Sequence, residues 1–234
     1  MRIIFIGDSL TEGSLGVSFV EILKKKFPNY NLINYGKNGD TVVSLFNRLK
    51  KLYLSEDNDI AFLWIGTNDV FVEISQSFKV TKSLFFQPWS KGQKEFYNYY
   101  RELLLLLEKK AKKIFTVSPL FIGEDVTNKW NKKLDQLSRI ISQLSEEFTS
   151  VDFIDIRKKF ISQLESQKVV SKFIQKSFLG VVFDELLNRS PEKINQISIN
   201  RGLKFTIDGV HLNANGAELC AKIFTEIIES CNKS

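Results

Sequence analysis

Five short apolar runs rich in β-branched and aromatic residues are separated along the chain by stretches of helical period, and this alternation narrows the fold more than any other feature. The runs are Ile3 to Ile6, Asn31 to Tyr35, Ile60 to Ile65, Ile114 to Ser118 and Val151 to Ile156. Each has the length and composition of a buried strand. Between them, three sets recur every three or four residues: Val42, Leu45, Phe46, Leu49 and Leu52; Phe96, Tyr100, Leu103, Leu104 and Leu107; Trp130, Leu134, Leu137, Ile141 and Leu144. Each set makes one apolar helical face. A last helix is predicted after His211, with Cys220, Ile223, Phe224, Ile227, Ile228 and Cys231 on its packed side. Strands alternating with helices require crossover connections, which place parallel strands in one sheet and cover both faces. The expected fold class is α/β: a three-layer α/β/α sandwich around a five-stranded, mainly parallel sheet.

A chain of 234 residues fits one such domain over 1–234. Two connections exceed a minimal alternation, at about 70–93 and 157–207, and long connections usually carry structure or function of their own. The first holds Phe71, Phe78, Phe85, Phe86 and Trp89. These aromatics, with Phe96, fit a substrate pocket or lid and fit the core equally well. The second has apolar clusters around Phe160 to Leu164 and Phe173 to Leu187, suiting either a cap over a site or a helical pair packed on the sheet edge.

Composition excludes several classes. With 43% hydrophobic and 26% charged residues the chain has a globular make-up, and no apolar run approaches the roughly 20 residues of a membrane-spanning helix. The run Arg2 to Ile6 is shorter than the ~7 to 15 residue core of a signal peptide. Cys220 and Cys231 share one predicted helix, about 16 Å apart at its 1.5 Å rise, too far for a disulfide. Free thiols without an export signal point to the cytoplasm. The net charge of +6 comes from short lysine clusters; Lys24 to Lys26 and Lys109 to Lys113 are placed near helix ends, where cations offset the dipole. No basic stripe or binding motif marks a nucleic-acid partner.

In such sheets ligands bind at the carboxyl ends of the strands. The first strand is followed by Gly7-Asp8-Ser9-Leu10, the second by Gly36-Lys37-Asn38-Gly39-Asp40-Thr41 and the third by Gly66-Thr67-Asn68-Asp69; Asp208-Gly209-Val210-His211-Leu212-Asn213 precedes the last helix. Singly, each fragment also reads as a turn or helix cap. Turn chemistry does not explain why all four carry a residue that ester hydrolysis requires. A serine hydroxyl needs a base to take its proton, and neutral imidazole suits that task near neutral pH. Ser9 and His211, the only histidine, fill these roles. Asp208, three residues before His211, is close enough on one turn to orient the ring. Gly39 offers a backbone N–H that no side chain obstructs, and Asn68 an uncharged amide donor. Asp8, Asp40 and Asp69 read as acids that hold loops by backbone hydrogen bonds.

Taken in order from Ser9 to His211, these motifs resemble the SGNH hydrolases, also called the GDSL esterases and lipases. Ser9, Gly39, Asn68 and His211 stand for the four residue types that name that family. The resemblance implies a flavodoxin-like sheet, a Ser9–His211–Asp208 triad and an oxyanion hole made by Ser9, Gly39 and Asn68. It implies acyl transfer from a small-molecule, lipid or sugar ester to water, with no cofactor. An O-acyltransferase with the same residues, or a silent binding module on the same fold, stays open at this point. One histidine and two helical cysteines do not supply a usual metal-ligand set, and no His-Glu-x-x-His occurs. Phosphate-loop, dinucleotide and Gly-x-Ser-x-Gly signatures are likewise missing.

Overall fold

A computed structural model of the chain describes residues 1–74, 76–84, 87–164, 171–177, 180 and 190–232. Five strands, β1 (Arg2–Gly7), β2 (Asn31–Gly36), β3 (Asn58–Trp64), β4 (Ala111–Val117) and β5 (Val151–Ile154), form one sheet in the order β2-β1-β3-β4-β5. Every pairing is parallel, so the sheet expected to be mainly parallel is wholly so.

The two-residue repeat of β1 explains the layers. Ile4 and Ile6 join one apolar core with Leu45, Leu103 and Ile141, while Ile3 and Phe5 join the other with Phe19, Phe160 and Phe224. The first core lies under the helices Val42–Leu49, Gln93–Leu107 and Lys129–Glu146, the second under Phe19–Lys26, Ile156–Leu164 and Ala214–Cys231. Phe5 and Phe62 stack at 5.1 Å, and Phe224 meets Phe62 edge-on at 4.9 Å. These rings lock the last helix against the centre of the sheet, which matters because that helix carries the approach to His211.

From β1 the chain crosses to β2 on one side and then returns to β3 on the other side of β1. The strand order thus reverses at β1, and a crevice opens at the carboxyl ends there. Ser9, Gly39 and Asn68 follow the three strands that bound it.

Several local expectations need correction. Lys112 and Lys113 lie on β4 and pair across the sheet with Asp59 and Asp152, both at 2.8 Å, so they do not cap a helix. Strand β5 stops at Ile154 because Ile156 already begins the helix Ile156–Leu164 and is fully buried there. The connection 70–93 contains the helix Gln76–Leu84, and 157–207 contains Pro191–Asn200. Phe85, Phe86 and most of the stretch from Phe173 to Leu187 lie outside the described residues. Both cysteines are free and on the last helix. Among the described residues no helix is long and apolar enough to cross a membrane.

Candidate active site

Strand β1 ends in a tight turn that only glycine permits, since a Cβ on Gly7 would lie 2.2 Å from the Trp64 carbonyl oxygen. Asp8 then caps the one-turn helix Ser9–Glu12, its carboxylate accepting the Leu10 N–H at 3.0 Å. This turn holds Ser9 at the sheet end, where its Oγ lies 2.9 Å from Nε2 of His211.

His211 comes from a reverse turn closed by an isolated antiparallel bridge between Thr206 and Leu212. The Asp208 Oδ1 accepts the N–H groups of Val210 and His211, each at 2.8 Å, and its Oδ2 lies 2.6 Å from Nδ1 of the ring. A carboxylate at Nδ1 keeps the ring proton there, which leaves the Nε2 lone pair facing Ser9. Burial works to raise the Asp208 carboxyl, but the His211 ring and the two backbone donors outweigh it and hold the group below its ordinary value.

The turn itself is anchored by Glu124, a residue the sequence does not single out. Its buried carboxylate accepts the N–H groups of Lys204, Phe205 and Thr206 at 2.7, 2.7 and 3.0 Å and the Thr206 hydroxyl at 3.0 Å. Nothing in the local sequence around Glu124 signals this, because its partners lie some 80 positions away.

On the same cavity as Ser9 and His211, Gly39 sits at φ 76°, in the left-handed region that favours glycine. Asn68 enters from the helix Thr67–Phe71, and its Nδ2 donates to the Asp40 carbonyl at 3.0 Å. Ser9, Gly39, Asn68 and His211 all line one cavity of about 340 Å³, walled on its apolar side by Leu15, Phe71, Phe78 and Val210. Phe71 and Phe78 meet at 4.4 Å between ring centres. Phe96 is fully buried in the core, so the aromatic set divides between pocket and core. All five residues singled out in the sequence are therefore brought together, four on the cavity and Asp208 behind the imidazole.

The sequence over residues 5–219 matches the model of the GDSL-like Lipase/Acylhydrolase family. The chain belongs to this family. It is an ester-hydrolysing enzyme. An acetylxylan esterase of Geobacillus stearothermophilus is 25% identical over 183 residues, spanning 70% of this chain and 80% of that protein. The crystal structure of Axe2, an acetylxylan esterase from the same organism, superposes with a TM-score of 0.65 at 22% identity, covering 96% of this chain and 92% of the other. That of the acetyl xylan esterase AlAXEase gives a TM-score of 0.67 at 21% identity, covering 97% and 100%. These likenesses show that the fold is shared.

The candidate site is also bordered by buried acids. Burial pushes Asp8 up to about 7, against the Leu10 N–H and the charges of His211 and Lys82. Asp69 is pushed by burial to about 6, although it accepts the Val42 N–H and Ser90. Asp40 accepts the Ser44 hydroxyl at 2.9 Å and Arg48 Nε at 2.8 Å. Asp8 and Asp69 thus hold backbone N–H groups, as their turn positions lead one to expect, whereas the Asp40 carboxylate is held by the Ser44 and Arg48 side chains.

Lys82, on the helix Gln76–Leu84, was not evident from the sequence and lines the same cavity. Burial brings its ammonium down to about 8, and Asp69, Asp8 and Asp40 oppose that. Its only sequence signal is the four-residue spacing from Phe78, which puts both on one helical face. Among the described residues no three His, Cys, Asp or Glu side chains are grouped to hold a metal ion.

Proposed function

We propose that this enzyme hydrolyses small acyl esters through a covalent acyl-Ser9 intermediate. The observation that carries this reading is the placement of the His211 ring, 2.9 Å from Ser9 Oγ through one nitrogen and 2.6 Å from Asp208 through the other. That is the geometry of a nucleophile, its base and the group that orients the base.

In the first half-reaction Ser9 Oγ bonds to the ester carbonyl carbon while its proton passes to His211 Nε2. The carbonyl oxygen becomes an oxyanion, for which the Ser9 N–H, the Gly39 N–H and Asn68 Nδ2 are the donors. The bond to the alcohol oxygen then breaks, and that oxygen takes the proton from Nε2. In the second, a water gives a proton to Nε2 and bonds to the acyl carbon; Ser9 oxygen leaves and recovers the proton. Asp208 keeps the imidazole in one tautomer throughout and favours the transient imidazolium.

The similarity to acetylxylan esterases supports a short acyl group on a sugar alcohol as the substrate class. The apolar wall of Phe71 and Phe78 gives the acyl methyl or a slightly longer chain a dry surface. Hydrolysis of p-nitrophenyl acetate, butyrate and octanoate and of a peracetylated xyloside, by wild type and Ser9→Ala, tests both parts. The expected result is turnover favouring the acetyl compounds, lost in Ser9→Ala. Equal rates from the two proteins would refute the serine mechanism, and preference for octanoate would refute the substrate class.

A further inference from the structure

Lys82 and Gln87 both reach the loop that carries Gly39, and their contacts fall on consecutive peptide groups. Gln87 Nε2 donates to the Asn38 carbonyl at 2.9 Å, and Lys82 Nζ donates to the Gly39 carbonyl. Lys82 also donates to Gln87 Oε1 at 3.2 Å, and the Gln87 N–H returns to the Lys82 carbonyl at 2.9 Å. An ammonium has donors only, so it fixes which end of the Gln87 amide is oxygen and leaves the NH2 for Asn38. Beyond Gln87, the Thr41 hydroxyl donates to the Pro88 carbonyl, and Ser90 donates through its hydroxyl to Asp69 at 2.8 Å.

The peptide between Asn38 and Gly39 is trans, so its C=O and N–H point in opposite directions. Holding the Asn38 carbonyl toward Gln87 therefore turns the Gly39 N–H away from Gln87. Among the described residues no protein acceptor takes that N–H. A donor bound to the carbonyl of a peptide also polarises the N–H of the same peptide, strengthening the bond it makes. The fit is close: a Cβ on Gly39 would lie 2.7 Å from Gln87 Oε1 and 2.8 Å from Lys82 Nζ.

From this geometry we infer that Gln87 and Lys82 are positioning residues for the oxyanion, acting through the two carbonyls that flank the Gly39 N–H. The inference rests on the acyl-Ser9 reading and gives the 70–93 connection a task in the reaction. Neither side chain needs to touch the reacting atoms. Because the oxyanion exists only in the tetrahedral states, loss of either contact slows turnover and leaves substrate binding almost unchanged.

The test compares Gln87→Ala, Gln87→Glu and Lys82→Met with wild type, using p-nitrophenyl acetate as substrate and an alkylboronic acid as a tetrahedral mimic on Ser9. We expect kcat to fall about 10- to 100-fold in each variant, with KM within about twofold. The boronic acid Ki should rise by the same factor while the thermal midpoint stays close to wild type. Gln87→Glu separates packing from hydrogen bonding, since its ionised carboxylate keeps the size and the Lys82 contact but has no proton for Asn38. Wild-type kcat in Gln87→Glu would overturn the inference. So would a rise in KM alone, a loss of kcat with unchanged boronic acid Ki, or a loss that tracks the midpoint and returns on cooling. If wild type ignores the boronic acid and Ser9→Ala stays active, the Ser9 reading itself fails.

Discussion

Ser9 Oγ lies 2.9 Å from His211 Nε2 although 202 positions separate the two residues. Each is held by local bonds of its own segment, and the two segments also meet where the Val17 N–H donates to the Leu212 carbonyl at 2.8 Å. Ser9 is held by the turn that ends β1 and by the Asp8 cap; His211 is held by the turn that Asp208 and Glu124 close. Their meeting follows from the strand order, which puts the end of β1 at the crevice, and from the aromatic packing that seats the last helix on the sheet.

Replacing Asp208 by Asn should cost turnover far more than binding. Asn reverses the preference for a proton on Nδ1 and presents no charge to the imidazolium. By the behaviour of such triads kcat should fall about 10³- to 10⁴-fold, with KM within a few-fold. Steady-state hydrolysis of p-nitrophenyl acetate measures this. A loss below tenfold would mean that the ring is oriented by something other than Asp208. Asp208 also links stability to pH: its carboxyl is lowered in the fold, so it stabilises above the unfolded value of 3.8, and that contribution is lost as pH falls through the folded value.

Glu124 to Ala should destabilise the protein and slow it together. The substitution strips the acceptor from three backbone N–H groups, two of them in fully enclosed bonds to Phe205 and Thr206. Each unsatisfied buried donor costs about 1 to 3 kcal/mol, so the urea midpoint should report a loss of about 3 kcal/mol or more. Glu124→Gln keeps one acceptor oxygen and should lose less. An Ala variant as stable as wild type would contradict the anchoring role.

Much of this candidate site is legible in the sequence because its residues sit where the local pattern changes. Ser9, Gly39 and Asn68 each follow a strand whose β-branched residues announce it, and Asp208 and His211 share one short turn. The fold class is legible too, since β1 to β5 are short apolar runs separated by stretches of helical period. What stays hidden depends on tertiary placement. Glu124 and Gln87 lie in loops whose course no periodicity encodes, and Lys82, though on a helix, meets a carbonyl 43 positions away. Lys112 and Lys113 look like a helix end until the acids Asp59 and Asp152 on neighbouring strands are brought beside them.

Asp8 to Asn should stabilise the protein in a pH-dependent way. The Asp8 carboxyl is raised from 3.8 to about 7, so the folded state binds more protons than the unfolded between those values, and stability falls as pH rises through that window. Its Oδ2 is buried with no partner among the described residues, whereas Oδ1 makes the cap that Asn also makes. The displacement corresponds to about 4 kcal/mol favouring the neutral acid. Thermal or urea unfolding of the two proteins should therefore coincide near pH 4 and diverge up to pH 7, with Asp8→Asn the more stable above it. A gap independent of pH would show that Asp8 is not the titrating group.

The most direct test of the acyl-Ser9 account is covalent capture. Wild-type protein treated with a p-nitrophenyl alkylphosphonate should lose esterase activity in proportion to a single mass increment, which peptide mapping places on Ser9. Ser9→Ala should take up none, and His211→Ala should react at least about 10³-fold more slowly. An increment on another residue, or full inactivation without one, would contradict the account.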